Sequence, residues 1–398
     1  MDQNPYLRCA IRPAEPPLPE QQLIFAELPH PVPQVSSEYS QWGPADVALK
    51  MVAFANTRRA QSKSVAWLHL ISDGGKHLLL ASLNQAGMDG VASYHIFDTF
   101  LQNLACCTAG QPIPQRPQHQ FVDILSRIPQ DKQRATALSV PAHFMPLLAP
   151  LPPDPNHGCY TDAYVKDFSD TFTKRLIDAC KEHGTSVQGA ISTANAIAIA
   201  KVQASQYPLP QVYLLQCPTS LRKQVEPQVA GEDNANGTSW LWWIQRIKPT
   251  DLVWDVARNA WESIKSESKF KNGLTFWVRL LGHRFAHEIF SPDALDKPFT
   301  PPFTVNASSV GKIPIAKQYG SITVTNVHAM LGTYDQVSPI EPGVTTQAHT
   351  FDDRLHVTFM FNMPAVGQQR GRLLAQTQIA VLEAMADSVD PPVSTFLQ

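Results

Sequence analysis

Charge is scarce in this chain. Only 17% of its 398 residues are Asp, Glu, Lys or Arg, and 32 basic side chains against 34 acidic ones leave a net charge of −2. So even a balance provides no electrostatic footprint for nucleic acid or an anionic membrane. Cysteine is sparse as well: the 6 present are scattered and none forms a C-x-x-C pair. That speaks against a disulfide scaffold, a zinc ribbon and a redox dithiol, and makes reduced thiols the expectation. The vicinal pair Cys106-Cys107 reads as small buried residues near a helix end. Nowhere do about 18 apolar residues run together, and the first segment, MDQNPYLRCAIRPAEPPLPE, has neither a basic n-region nor an apolar h-region. The expectation is a soluble, cytoplasmic protein with no membrane span, in which the sequons at Asn236 and Asn306 are chance matches.

Several announced chemistries are missing too. No G-x-G-x-x-G, G-x-x-x-x-G-K-[ST] or G-x-S-x-G occurs, so dinucleotide binding, Walker-type phosphate binding and the hydrolase nucleophile elbow lose their best sequence support. His283 and His287 are four apart on an expected helix, but no Glu follows His283 and no third ligand accompanies them, so no metal is expected.

What the chain does have is apolar residues, 43% of the total, and 34 prolines. The length permits two domains. Proline clusters at 13–33, 112–117 and 141–155 punctuate the first part, since each Pro fixes its own φ and disfavours helix in the residue before it. The last cluster marks the expected crossover, giving an N-terminal lobe over 1–150 and a C-terminal lobe over 151–398. No short internal repeat is present.

Apolar runs at Val65–Ile71 and His77–Leu83 flank Ser72-Asp73-Gly74-Gly75 and predict a β-hairpin, because Asp-Gly favours the positive φ of a tight turn. NQAGMDG (84–90) follows and opens a helix with Ile96, Phe97, Phe100, Leu101 and Leu104 at helical spacing. A helix is expected from Tyr164 to Glu182, stopped by Gly184, then a second one introduced by a Thr185-x-x-Gln188 capping box with a buried Ala/Ile face. Strands are expected at Gln211–Cys217, Ser321–Met330 and Leu355–Asn362, and helices at about Asp251–Ser268 and Arg370–Met385. Hairpins mixed with helices point to α+β layers rather than a doubly wound parallel sheet.

The strand, loop and helix around 84–90 carry a resemblance. LLLASLNQAGMDGVASYHIFDTFLQNL resembles the H-H-x-x-x-D-G frame of the chloramphenicol-acetyltransferase-like superfamily, which includes acyl-CoA-dependent acyltransferases and peptide-synthetase condensation domains. Asn84 and Gln85 stand where that frame has histidines, while Asp89 and Gly90 match it. Further echoes occur in the family's order: NPYLRCAIR (4–12) is similar to its H-P-x-L-R strand, TSVQGAISTANAIAIAKV (185–202) to its T-x-N-x-hh-x-A helix, and PTSLR (218–222) to its P-x-x-L-R strand end. VNASSVGKI (305–313) and FDDRLHVTFMFN (351–362) are similar to its S-N-h-G segment and its G-x-L-x-h-x-h-x-Y strand. The resemblance implies a two-lobed α+β fold, each lobe a mixed sheet with helices, and a tunnel between the lobes. A first strand and helix that precede the H-P-x-L-R segment in the family are missing before residue 4, so a short gene model or a trimmed lobe is expected.

In the family the second histidine is the general base that deprotonates an acceptor attacking a thioester; imidazole suits that role because it titrates near neutral pH. Gln85 cannot do this. Its carboxamide can only donate or accept hydrogen bonds, which allows it to polarise a substrate carbonyl in a dry site. Three readings stay open. In the first, an enzyme of secondary metabolism holds a hydrophobic small molecule and closes a ring in it, for instance by a Diels–Alder cycloaddition. Gln85, Asn84 and His95 are the candidate catalytic residues, Ser308, Ser309, Thr325, Trp240 and Trp242 the candidate substrate contacts, and no cofactor is needed. In the second, an acyltransferase uses CoA or a carrier-bound thioester and recruits His95, His143 or His328 as base. In the third, the protein binds without catalysis. Asp89, Gly90 and Arg222 are expected to be structural, with Arg222 pairing Asp89. The oligomeric state is left open, a monomer being compatible.

Overall fold

The structure is a computed structural model that describes residues 4–13, 23–28, 34–60, 62–85, 87–116, 119, 122–128, 160–204, 211–269, 305–332, 343–363 and 366–398. His143, His283, His287 and the expected crossover at 150 lie outside these residues. Among the described residues no helix is long and apolar enough to cross a membrane.

In chain order the first elements are β1 (Cys9–Pro13), β2 (Leu23–Glu27), β3 (Gln34–Tyr39), α1 (Asp46–Ala55), β4 (Ala66–Asp73), β5 (Lys76–Leu83) and α2 (Gly90–Thr108). There follow β6 (Tyr160–Asp167), α3 (Asp170–Glu182), α4 (Val187–Gln203), β7 (Gln211–Ser220), β8 (Thr238–Ile247) and α5 (Val253–Lys269). The last are β9 (Val305–Lys312), β10 (Gln318–Tyr319), β11 (Ile322–Thr323), β12 (Val344–Phe351), β13 (Arg354–Met363) and α6 (Gln368–Ala386). They form two compact units that interleave along the chain: one comprises Met1–Arg127, Arg222–Thr238 and Ile313–Thr325, the other Ile128–Leu221, Ser239–Lys312 and Asn326–Gln398. A single cut therefore does not divide the molecule; two later segments return to the N-terminal unit.

The N-terminal unit is built on a mixed three-stranded sheet, β3-β4-β5, in which β3 runs parallel and β5 antiparallel to β4. The β4–β5 turn falls on Gly74, at φ 59°, as the Asp-Gly signal requires. NPYLR is not strand: Pro5 opens a 3-10 turn over Pro5–Arg8, and β1 begins only at Cys9, because Pro presets a helical φ at that position. Tyr6, Cys9, Val65, Met88 and Ala92 form a small core under the 84–89 loop. Cys107 is exposed and Cys106 half-buried at the end of α2, not buried as expected. The expected strand 321–330 is strand only over Ile322–Thr323, where a hairpin turns at Gly320 and Tyr319 hydrogen-bonds Asp98 of α2 at 2.6 Å.

The C-terminal unit carries a mixed six-stranded sheet in the order β6-β13-β12-β9-β7-β8. Val305, Ala307, Val344, Ala348, Leu355, Val357, Phe359 and Phe361 belong to one core with α3, α4, α5 and α6 residues, so one face of the sheet packs on the helices. Each buried Leu, Ile or Phe there contributes about 1.5–3 kcal/mol of apolar burial. The expected helix from Tyr164 starts at Asp170 instead: Ser169 caps it by accepting from Phe172 N–H at 3.1 Å, while 160–167 pair with β13. Likewise Ser186, not Thr185, caps α4. Thr185 donates to Ala257 O, and Gln188 reaches β9 through Ala307 O and Ser309 N, both at 2.8 Å, so tertiary partners displace the expected capping box.

Candidate functional site

The NQAGMDG loop is held at both ends. Asn84 N–H donates to Val65 O at 2.9 Å, and the buried Tyr6 hydroxyl donates to Asn84 O. Burial drives the Tyr6 hydroxyl well above its ordinary pKa, so it stays a neutral donor. Gly87 lies so close to this tyrosine that a Cβ would meet Tyr6 Cε2 at 2.6 Å and Phe25 Cζ at 2.9 Å. Within the loop Asn84 is half-buried and Gln85 is exposed.

At its far end Asp89 caps α2, its Oδ1 accepting from Ala92 N–H at 2.9 Å. Arg222 grips the same carboxylate with two donors, Nε to Oδ2 at 2.9 Å and Nη2 to Oδ1 at 3.0 Å, and Gly237 N–H adds a fourth bond at 2.9 Å. The guanidinium also donates to Ala230 O, Asp233 O and Ala235 O. Asp89 and Arg222 are only 2% and 3% exposed, so the pair is a filled, charge-neutral knot with little left for a substrate. It binds residues 89, 222 and 237 into one unit. Gly90 opens α2 with nothing within 4 Å of a hypothetical Cβ, so steric need does not explain its glycine. His95, on α2, packs its ring against Gly231, where a Cβ would meet Nε2 at 2.7 Å.

A cavity of about 150 Å³ opens in the N-terminal unit, walled by Leu68, Ala81, Leu83, Ile96, Phe97 and Phe100. Three carboxamides, Asn4, Gln34 and Asn103, also line it; Asn4 is 6% exposed, and both its polar atoms and Asn103 Oδ1 lack hydrogen-bond partners among the described residues. Such a cavity takes an apolar group of about benzene size. Asn84 and Gln85 do not appear among its described walls.

The remaining sequence candidates fall elsewhere. Ser308 and Ser309 lie on β9 with side chains on opposite faces, Ser309 sharing its parity with core residues Val305 and Ala307. Only Ser308 is on the face away from the helices. Thr325 is exposed in coil after β11. Trp240 is half-buried on β8, and Trp242 lies on the same strand; the neighbour that closes the core is Trp243.

The sheet face away from the helices holds a second polar cluster, which the sequence reading missed. Asp167, His356 and His349 sit directly opposite one another across β6, β13 and β12. His356 Nδ1 lies 2.8 Å from Asp167 Oδ1, and the His349 ring stacks on His356 at 5.5 Å. Residues 326–331 run over this row: Asn326 Nδ2 donates to Asp167 Oδ2 at 3.0 Å, Val327 O is 2.9 Å from His349 Nε2, and Leu331 N–H reaches Met360 Sδ. His328 from this strap brings Nε2 to 3.5 Å from Asp167 Oδ1. Burial pushes the His328 and His349 pKa values down, the latter to about 3, with neighbouring imidazoles adding to the effect at His349. Burial alone would raise the Asp167 carboxyl, but the His356 hydrogen bond and the charges of His328, His356 and Arg354 outweigh it and hold the group below the usual range. The result is an anionic carboxylate beside two imidazoles, His328 and His349, that burial disfavours from charging. A signal was available: a two-residue turn at Asp352-Asp353, both at positive φ, sets His349 opposite His356.

No family model and no curated protein matches the sequence. Solved structures do match. The epimerization domain from the third module of tyrocidine synthetase B has a TM-score of 0.65 at 12% identity, over 99% of this chain and 86% of that one. Polyketide synthase associated protein 5 from Mycobacterium tuberculosis has a TM-score of 0.65 at 16% identity, over 97% and 88%. Trichothecene 15-O-acetyltransferase from Fusarium sporotrichioides has a TM-score of 0.66 at 13% identity, over 96% and 83%. Together with the mixed sheets of both units, these likenesses show that the chain has the chloramphenicol-acetyltransferase-like fold of condensation domains and acyltransferases.

Proposed function

We propose that this chain is an enzyme of secondary metabolism that closes a ring in a hydrophobic small molecule of polyketide or terpenoid kind, without an imidazole base at the 84–90 loop. One observation carries the reading: the frame of the loop is intact, from the Tyr6 anchor to the Asp89–Arg222 knot, while the two positions that would hold the base are the carboxamides Asn84 and Gln85. A cycloaddition of Diels–Alder type needs no base: two σ bonds form as the π electrons of diene and dienophile reorganise, and no proton leaves. What it needs is proximity and a donor at the dienophile carbonyl. Gln85 Nε2–H on the exposed loop can be that donor, and the apolar cavity behind α2 supports a hydrophobic substrate. The test is incubation of purified protein with polyene precursors, with and without acyl-CoA. Ring closure independent of CoA is expected, and Gln85→Ala should slow it by roughly 10²–10³, the cost of one polarising donor. Turnover that requires a thioester would overturn the reading.

A second reading has its own observation. Acyl transfer from CoA or a carrier-bound thioester would need a recruited base, and His328 lies 3.5 Å from Asp167, which can orient it as a carboxylate orients a catalytic histidine. Loss of thioester-dependent turnover in His328→Gln, with Gln85→Ala unaffected, would favour it. No turnover on a broad panel would leave a non-catalytic binding protein.

A further inference from the structure

We infer that Asp167, His328 and His356 form a binding site for a divalent transition-metal ion, with zinc the best match to the donor set. The inference is independent of the ring-closing reading. Three donor atoms, one from each residue, lie within 4.8 Å of one another. They come from three separate segments, β6, the 326–331 strap and β13, so the fold and not local sequence gathers them. Two imidazoles and one carboxylate are an established ligand set for zinc, with a fourth position left for water or a ligand.

Two of the three donor spacings are close to what an ion requires, and the third, between the imidazoles, is within 4.8 Å. Zinc holds nitrogen at about 2.0–2.1 Å and carboxylate oxygen at about 2.0–2.2 Å in a tetrahedron, so its ligand atoms stand about 3.3 Å apart. His328 Nε2 is 3.5 Å and His356 Nδ1 2.8 Å from Asp167 Oδ1. An ion would need the second distance to open by about half an ångström, within reach of a carboxylate rotation. His356 and His328 side chains are 0% and 7% exposed, so the cluster is screened from bulk water; their other ring nitrogens, Nε2 and Nδ1, would not ligate and have no hydrogen-bond partner among the described residues. The inner nitrogens, His356 Nδ1 and His328 Nε2, face the Asp167 carboxylate, so one cation at that point would meet all three donors. His349, stacked on His356 and engaged with Val327 O, supports the ligand ring and is outside the donor set.

The experiment is titration of the full chain, stripped with chelator, with Zn²⁺ by calorimetry and with Co²⁺ by visible absorption. One ion per chain is expected, with the d–d spectrum of four- or five-coordinate cobalt and a Zn²⁺-dependent rise in melting temperature. His356→Gln, His328→Gln and Asp167→Asn should each weaken binding by more than the ~10–100-fold typical of losing a supporting partner, and His349→Gln by about that amount. Circular dichroism of the metal-free variants separates lost binding from lost fold. If a variant does not fold, the cobalt spectrum of the parent chain decides, since imidazole and carboxylate ligation gives a different band from hexa-aquo cobalt. No saturable uptake by the parent chain, or uptake unchanged in folded His356→Gln and His328→Gln, overturns the inference.

Discussion

Two buried carboxylates invite comparison. Asp89 in the N-terminal unit accepts four hydrogen bonds, and its permanent cation Arg222 spends its remaining donors on backbone carbonyls. Asp167 in the C-terminal unit faces two imidazoles, His356 and His328, whose outer nitrogens have no partner among the described residues. The first arrangement is closed: each charge is answered, which is how a buried ion pair escapes its desolvation cost. The second is open, and open polar groups in an interior are where chemistry or a ligand is to be sought. In the 84–90 loop the aspartate is buried in the knot and holds up the fold, while Gln85 is exposed.

The comparison can be broken most sharply at Asp89. Asp89→Ala strands a guanidinium that is almost fully buried, and a loss of about 3–5 kcal/mol is expected in denaturant unfolding; a midpoint equal to the parent's would show the knot is not closed. A smaller effect is expected at Gly237, where a Cβ would meet Arg222 Cγ at 2.9 Å and Ile124 Cδ1 at 3.0 Å. Gly237→Ala should cost about 1–3 kcal/mol by overpacking the knot. On the other side of the comparison, His356→Ala in metal-free protein removes one hydrogen bond but also one orphaned nitrogen, so about 1–2 kcal/mol is expected, less than Asp89→Ala. A larger loss than at Asp89 would mean that Asp167 and His356 are themselves a closed pair. Gly90→Ala lies beside the knot yet touches nothing; a helix gains from Ala, and stabilisation of about 0.5–1 kcal/mol is expected from thermal melts.

Much of the frame was legible in the sequence because it is written locally. Asp73-Gly74 gave away the hairpin, and the Leu355, Val357, Phe359, Phe361 alternation gave away β13. Asp89 and Arg222 could be joined only through the resemblance, since 133 residues separate them. Where propensity misled, a tertiary partner had prevailed: Gln188 left its capping role for β9, and 326–331 became a strap because its polar groups bind the sheet face. On β13 the apolar parity drew attention and the other parity, His356 included, went unread.

By itself the sequence determined that the 84–90 loop carries carboxamides in place of imidazoles, because side-chain chemistry at a position needs no fold to be known. It determined as well the local periods that make strands, turns and helices. Only the tertiary structure decided which distant groups meet: that Arg222 fills the demand of Asp89, and that Asp167, His328 and His356 converge. Hydrogen bonds and ion ligation act over about 2–3 Å, a distance that chain separation does not encode and that only packing of one surface on another can set.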